Sequence, residues 1–223
     1  MCIRDSPYHA PGFCEGSAWQ FTWYVPHDVK SLINLIGERQ FIDRLNAGFA
    51  TSEKVSFNAL GDNMGAYPIN HGNETNMQAA YLFSYTSEPW HTQKWARAIQ
   101  EKYYGMGPRD AYPGDEDQGQ MSSWYILSSI GLFQMDGGCS KDPVWLLGSP
   151  RFDRVEIQLD NTYYSGKKLI IKAENVSKDN CYIQSVRFNN KRLSNNYIEW
   201  SKLKKGGTLD FIMGDRPNPN AFK

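Results

Sequence analysis

Apolar residues recur every three or four positions over roughly the first 135 residues, and every second position beyond about residue 143. The first spacing gathers side chains on one face of a helix, and the second on one face of a strand. Asp28 stands ahead of Val29, Leu32, Ile33 and Ile36, so its carboxylate is placed to cap a helix that Gly37 interrupts. Phe41, Ile42 and Leu45 carry a second helix towards Gly48, read as its stop. Tyr81, Leu82 and Tyr85, before Glu88-Pro89, predict a third. Trp95, Ala98, Ile99 and Tyr103, before Gly105, predict a fourth, and Met121, Trp124, Tyr125 and Leu127 a fifth from about Gln120 to near Gly131.

The period-two segments are Val155, Ile157, Leu159; Leu169, Ile171; Tyr182, Gln184, Val186, Phe188; and Leu209, Phe211, Met213. Asn189-Asn190 suits a tight hairpin turn and Gly206-Gly207 another, which predicts an antiparallel sheet or sandwich-type module over residues 143–223. Residues 134–142, with Gly137-Gly138, read as a linker. The fold class is therefore α+β and multidomain. Two long polar stretches, 58–75 and 105–119, stand out, because ordering a long loop costs entropy that only a function or dense contacts offset.

Composition narrows the partners. Lys plus Arg and Asp plus Glu balance at 24 each, so no basic surface argues for nucleic acid. No apolar run is long enough to span a bilayer. Aromatic residues make up 14%, including seven Trp and thirteen Tyr, and such rings either fill a core or stack on the C–H faces of sugars. The four cysteines lie far apart and form no zinc-type cluster. The start lacks the charged and apolar regions of a signal peptide. Met1–Ser6 resembles translated sequencing-adapter sequence, so residues 1–6 are read as a non-native leader and the natural chain is expected to extend further upstream.

Three segments could carry chemistry. Glu15 lies close to Trp19, Phe21 and Trp23; either it opens a helix beside core aromatics, or desolvation raises its pKa so that it serves as a general acid. Asp115, Glu116 and Asp117 precede an apolar helix, where they either complement the helix dipole or, as three adjacent like charges, share their site with a cation, water or substrate. His71-Gly72-Asn73-Glu74 offers carboxylate, amide and backbone oxygens, the donors a hard cation such as calcium takes.

In this order, Glu15–Asp28, Gly72–Glu74, Glu88–Gln93 and Pro113–Tyr125 closely resemble the bacterial exo-acting α-mannosidases of glycoside hydrolase family 92, and Leu147–Asp153, Tyr182–Ser185 and Met213-Gly214 resemble that family's C-terminal strands. The resemblance implies a calcium-dependent, inverting removal of terminal α-mannose from mannose-rich glycans. It puts Glu15 on the general acid, Asp117 on the base, Asp115 on a residue that orients the water, Trp19 and Gln20 in substrate binding, and Asn73 and Glu74 on calcium. Ser17 and Ser123 depart from the common Asn and Ala.

Family members join an N-terminal β-sandwich to an (α/α)6 toroid. The resemblance thus implies that residues 7–135 are later toroid helices, that the sandwich completing the sugar pocket is missing, and that these 223 residues alone are poorly soluble and inactive. It also implies a periplasmic or extracellular location. Two other readings stay open: a different (α/α)6-toroid glycosidase, and a non-catalytic calcium-dependent glycan-binding module.

Overall fold

The computed structural model describes residue 13 and residues 16–59, 66–112, 114 and 116–223. Helices come first: α1 (Ala18–Phe21), α2 (Val29–Ile36), α3 (Glu38–Ser52), α4 (Glu74–Met77), α5 (Trp90–Lys102) and α6 (Gln120–Ser129). Strands follow: β1 (Leu132–Phe133), β2 (Val144–Leu147), β3 (Arg154–Gln158), β4 (Lys168–Glu174), β5 (Tyr182–Phe188), β6 (Lys191–Arg192) and β7 (Tyr197–Glu199), then the short helix α7 (Trp200–Leu203) and β8 (Gly207–Gly214). Among the described residues no helix is long and apolar enough to cross a membrane.

The helical elements largely follow the sequence pattern. The Asp28 carboxylate accepts a hydrogen bond from the Ser31 backbone N–H at 3.1 Å, and α2 ends at Gly37, whose φ of 88° favours glycine. Two expectations need correction. Gly48 does not end a helix, because α3 continues to Ser52; a Cβ at Gly48 would lie 3.2 Å from the Pro68 Cβ, so the glycine serves close packing. Ala79–Tyr85 is a 3-10 helix rather than an α-helix, with Ala79 through Ser84 all buried. A segment enclosed on all sides cannot display the one-sided pattern of an amphipathic helix.

One core lies among the helices, where Phe49 stacks on Trp95 with ring centroids 5.2 Å apart and the Trp95 indole N–H donates to Asn46 at 2.8 Å. The other underlies a five-stranded sheet of order β3-β4-β8-β5-β6 and includes Ile171, Ile183, Val186, Leu209 and Phe211. A three-stranded sheet, β1-β2-β7, gives Leu146 to the first core and Leu147 to the second.

The expected antiparallel module is mixed: β4 and β8 run parallel, and only the remaining pairs are antiparallel. Asn189 and Asn190, at φ 48° and 67°, make the β5–β6 hairpin as expected. Gly206 instead closes α7, donating its N–H to Leu203, and feeds β8 into the sheet beside β4. In β5 the register shifts between Ile183 and Ser185, so Ile183 and Val186 share the core although an even alternation puts them on opposite faces.

Candidate functional site

The segment from Tyr67 to Gln78 is knit to α1 by buried amides. Gln20 accepts from the Ser17 N–H at 3.2 Å and donates to the Tyr67 carbonyl at 2.9 Å. Asn76 accepts from the Asn70 N–H at 2.8 Å and donates to the Gln20 carbonyl at 3.0 Å. Gln78 donates to the Trp23 and Thr75 carbonyls. Gln20 is fully buried, so its amide holds the backbone of this wall, while Trp19 is half-buried and faces the Arg44 guanidinium at 5.8 Å.

Asn73 caps the N-terminus of α4 with extended backbone and is 4% exposed; Glu74 opens the helix and is half-buried. The acidic loop lies directly against this segment. A Cβ on Gly114 would stand 2.5 Å from the Gly72 Cα and 2.2 Å from the Tyr103 hydroxyl oxygen. Only two glycines allow the two backbones to approach so closely.

The loop then turns through three consecutive left-handed residues, Asp117 (φ 27°), Gln118 (φ 62°) and Gly119 (φ 87°), before α6 begins. Such backbone is costly for the two that are not glycine, and such strain clusters at functional sites. The turn brings Asp117 to Glu74. Burial pushes the Glu74 carboxyl above its usual range, and a hydrogen bond with the Asp117 carboxyl pushes the same way, while Gln120 opposes it. Glu116 faces the other way: it accepts from the Ser122 N–H at 3.1 Å, and so serves the exposed amides at the start of α6.

Asp117 and Glu74 are thus brought together, with Asn73 adjacent in the chain. Glu15 and Asp115 lie outside the described residues. Two carboxyl groups held this close favour a shared proton or a shared cation, and Asn73, next to Glu74, carries an amide oxygen of the kind a hard cation takes. That chemistry fits a hard divalent ion.

Sequence reasoning passed over the support beneath. His71 is fully buried; its Nε2 lies 2.9 Å from the Tyr104 hydroxyl, which donates to the Met121 carbonyl at 3.1 Å. With the hydroxyl proton given to Met121, His71 donates from Nε2, and burial holds its pKa down to about 3, so it is neutral. Tyr104 also stacks on Trp124, centroids 5.8 Å apart. The chain from His71 through Tyr104 to α6 fixes the spacing of the two loops. The signal visible in the sequence is the glycine-rich character of both polar loops, which supply Gly72 and Gly114. A cavity of about 480 Å³ opens beside Glu74 and Gln120, walled by Tyr24, Met77, Trp124 and Phe133.

Comparison with known proteins identifies relatives of this chain. The model of the glycosyl hydrolase family 92 catalytic domain matches residues 3–215. An uncharacterized secreted glycosidase of Arthroderma benhamiae is 29% identical over 203 residues, which are 90% of this chain and 23% of that protein. The family GH92 α-mannosidase BT3965 of Bacteroides thetaiotaomicron superposes with a TM-score of 0.79 at 34% identity, over 93% of this chain and 26% of its own. The same enzyme in complex with mannoimidazole gives 0.82 at 32% identity, over 98% and 29%. The family GH92 inverting mannosidase BT2199 from the same organism gives 0.79 at 32% identity, over 94% and 29%. This chain therefore spans about a quarter of the length of these proteins.

Proposed function

The chain belongs to glycosyl hydrolase family 92, and from that premise we propose that it supplies the acid, base and cation-holding side of an inverting, calcium-dependent exo-α-mannosidase acting on mannose-rich glycans. The observation that carries this reading is the meeting of Glu74 with Asp117 across the Gly72–Gly114 contact, beside an open cavity. The relatives support the sugar: two of them are described as α-mannosidase or inverting mannosidase.

In this proposal Glu15 protonates the leaving oxygen, and Asp117 takes a proton from the attacking water while Asp115 orients it. Inversion requires acid and base on opposite faces of the sugar ring, with room for that water. Asn73 and Glu74 would hold calcium, which would orient the sugar through its hydroxyl oxygens and favour distortion of the ring towards the oxocarbenium-like transition state. A half-buried Trp19 offers a ring to the sugar, and Gln20 fixes the turn that carries it. Helices and strand module belong to a longer polypeptide whose upstream β-sandwich completes the pocket, in the periplasm or outside the cell; the secreted relative supports that location.

The test is made on the full-length polypeptide with a linkage-defined mannobiose. Release of β-mannose as the first product, seen by NMR, is expected, together with a loss of turnover on the order of a thousand-fold in Glu15→Gln and Asp117→Asn with binding retained. First-formed α-mannose would exclude inversion. Full activity after chelation and exhaustive dialysis would remove the role given to Asn73 and Glu74.

A further inference from the structure

A second pocket, of about 490 Å³, opens where the end of α5 meets α6 and the loops around Arg151 and Lys178. Arg97, Arg151 and Lys178 line it against a single acid, Glu101. Arg97 is 5% exposed, and its guanidinium donates to the Ser177 carbonyl at 2.8 Å, to the Ser149 hydroxyl at 3.0 Å and to the Pro150 carbonyl. Those acceptors are neutral, so they satisfy its geometry without offsetting its charge. Arg151 donates to the Gln100 carbonyl at 3.2 Å, again a neutral acceptor.

Among the described residues none of the ion pairs includes Arg97, Arg151 or Lys178. Burial lowers the Arg97 pKa most; Arg151 adds to that as a second cation alongside, while Cys181 and Glu101 oppose it. Among the described residues the Arg97 Nε and both amide atoms of Gln100, itself 1% exposed, have no hydrogen-bond partner. A buried charge normally has a counter-charge, and a buried amide normally has partners. Here Glu101 stands alone against three cations, and among the described residues the buried Gln100 amide has no partner.

We propose that the pocket binds a phosphate or sulfate group, with Arg151 and Lys178 reaching it at the opening and Arg97 supplying positive charge beneath the floor. Guanidinium forks suit tetrahedral oxyanions because two parallel N–H donors meet two oxygens. Tyr104 and Tyr125, ring centroids 4.7 Å apart, wall the pocket and give an organic group carrying the anion an aromatic surface. The inference goes beyond the glycosidase reading and does not depend on it.

The test is a calorimetric titration of the full-length polypeptide with inorganic phosphate against sodium chloride at matched ionic strength. Saturable binding is expected with phosphate and none with chloride. Arg151→Gln and Lys178→Gln, neither of them buried, each weaken binding about ten-fold, whereas Glu101→Gln tightens it. That opposite sign separates an electrostatic site from general damage, and circular dichroism confirms that each variant is folded. Displacement of phosphate by a hexose 6-phosphate assigns the pocket to an esterified group, and failure to displace assigns it to the free ion. Equal heats with phosphate and chloride, or unchanged binding in the Arg151→Gln/Lys178→Gln double variant, overturn the proposal.

Discussion

Replacing Gly114 with alanine tests how closely the two loops must approach. The added Cβ would lie 2.5 Å from the Gly72 Cα and 2.2 Å from the Tyr103 hydroxyl oxygen. Ordinary van der Waals contact begins near 3.4 Å, so the acidic loop must retreat by roughly 1 Å from backbone that has no rotamer to change. Overpacking of this kind costs about 1–3 kcal/mol, which lowers Tm by about 2–4 °C per kcal/mol in a domain of this size. The larger consequence is on the site, since the retreat separates Asp117 from Glu74, and a misplacement of about 1 Å costs on the order of a hundred-fold in rate. The assay is kcat/KM on a mannobiose beside thermal melting, in the full-length polypeptide. Gly48→Ala, which approaches the Pro68 Cβ at 3.2 Å inside α3, serves as the control that leaves the rate unchanged. Partial recovery is expected in Gly114→Ala/Tyr103→Phe, because only one of the two clashes is removed. Wild-type kcat/KM and Tm in Gly114→Ala would refute the reasoning.

Three further outcomes are expected. Asn76→Ala removes the shared support of the Asn70 N–H and the Gln20 carbonyl, both buried, and should cost about 2–3 kcal/mol in urea unfolding; a loss below 0.5 kcal/mol would mean that other groups take over these bonds. Asp28→Ala removes the cap on Ser31 and should lower the urea midpoint, while Asp28→Ser should retain most of the stability. His91 is held below its usual pKa of 6.5 chiefly by burial, despite its 3.0 Å contact with Glu88. The unfolded chain therefore binds the His91 proton first, so this contribution is intact above about pH 6.5 and shrinks as the pH falls through that value. Urea midpoints at pH 7.5 and 5.5 should differ more for the wild type than for His91→Gln, and equal differences would remove His91 from the pH response.

The sequence by itself determined the elements whose signal is local. Asp28 and Gly37 bracket α2, the even spacing in β4 and β8 marks the sheet core, and Asn189-Asn190 dictates its own hairpin. The order of the Glu15, Asn73-Glu74 and Asp115–Asp117 motifs identified the family, because each motif is a short run readable without the fold. Tertiary structure decided the rest. Segment 79–85 lost its amphipathic pattern by being enclosed, β5 changed face at its bulge, and β8 entered beside β4 in parallel because α7 and Gly206 carried the chain back across the sheet. The neutral His71, the Tyr104 bridge to α6 and the Glu74–Asp117 contact join residues from separate elements. Periodicity records which side of an element avoids water, and it carries no information on which distant carboxyl that side will meet. The closeness of Asp117 to Glu74 was set by two glycine backbones in contact, a fact that exists only once the chain has folded.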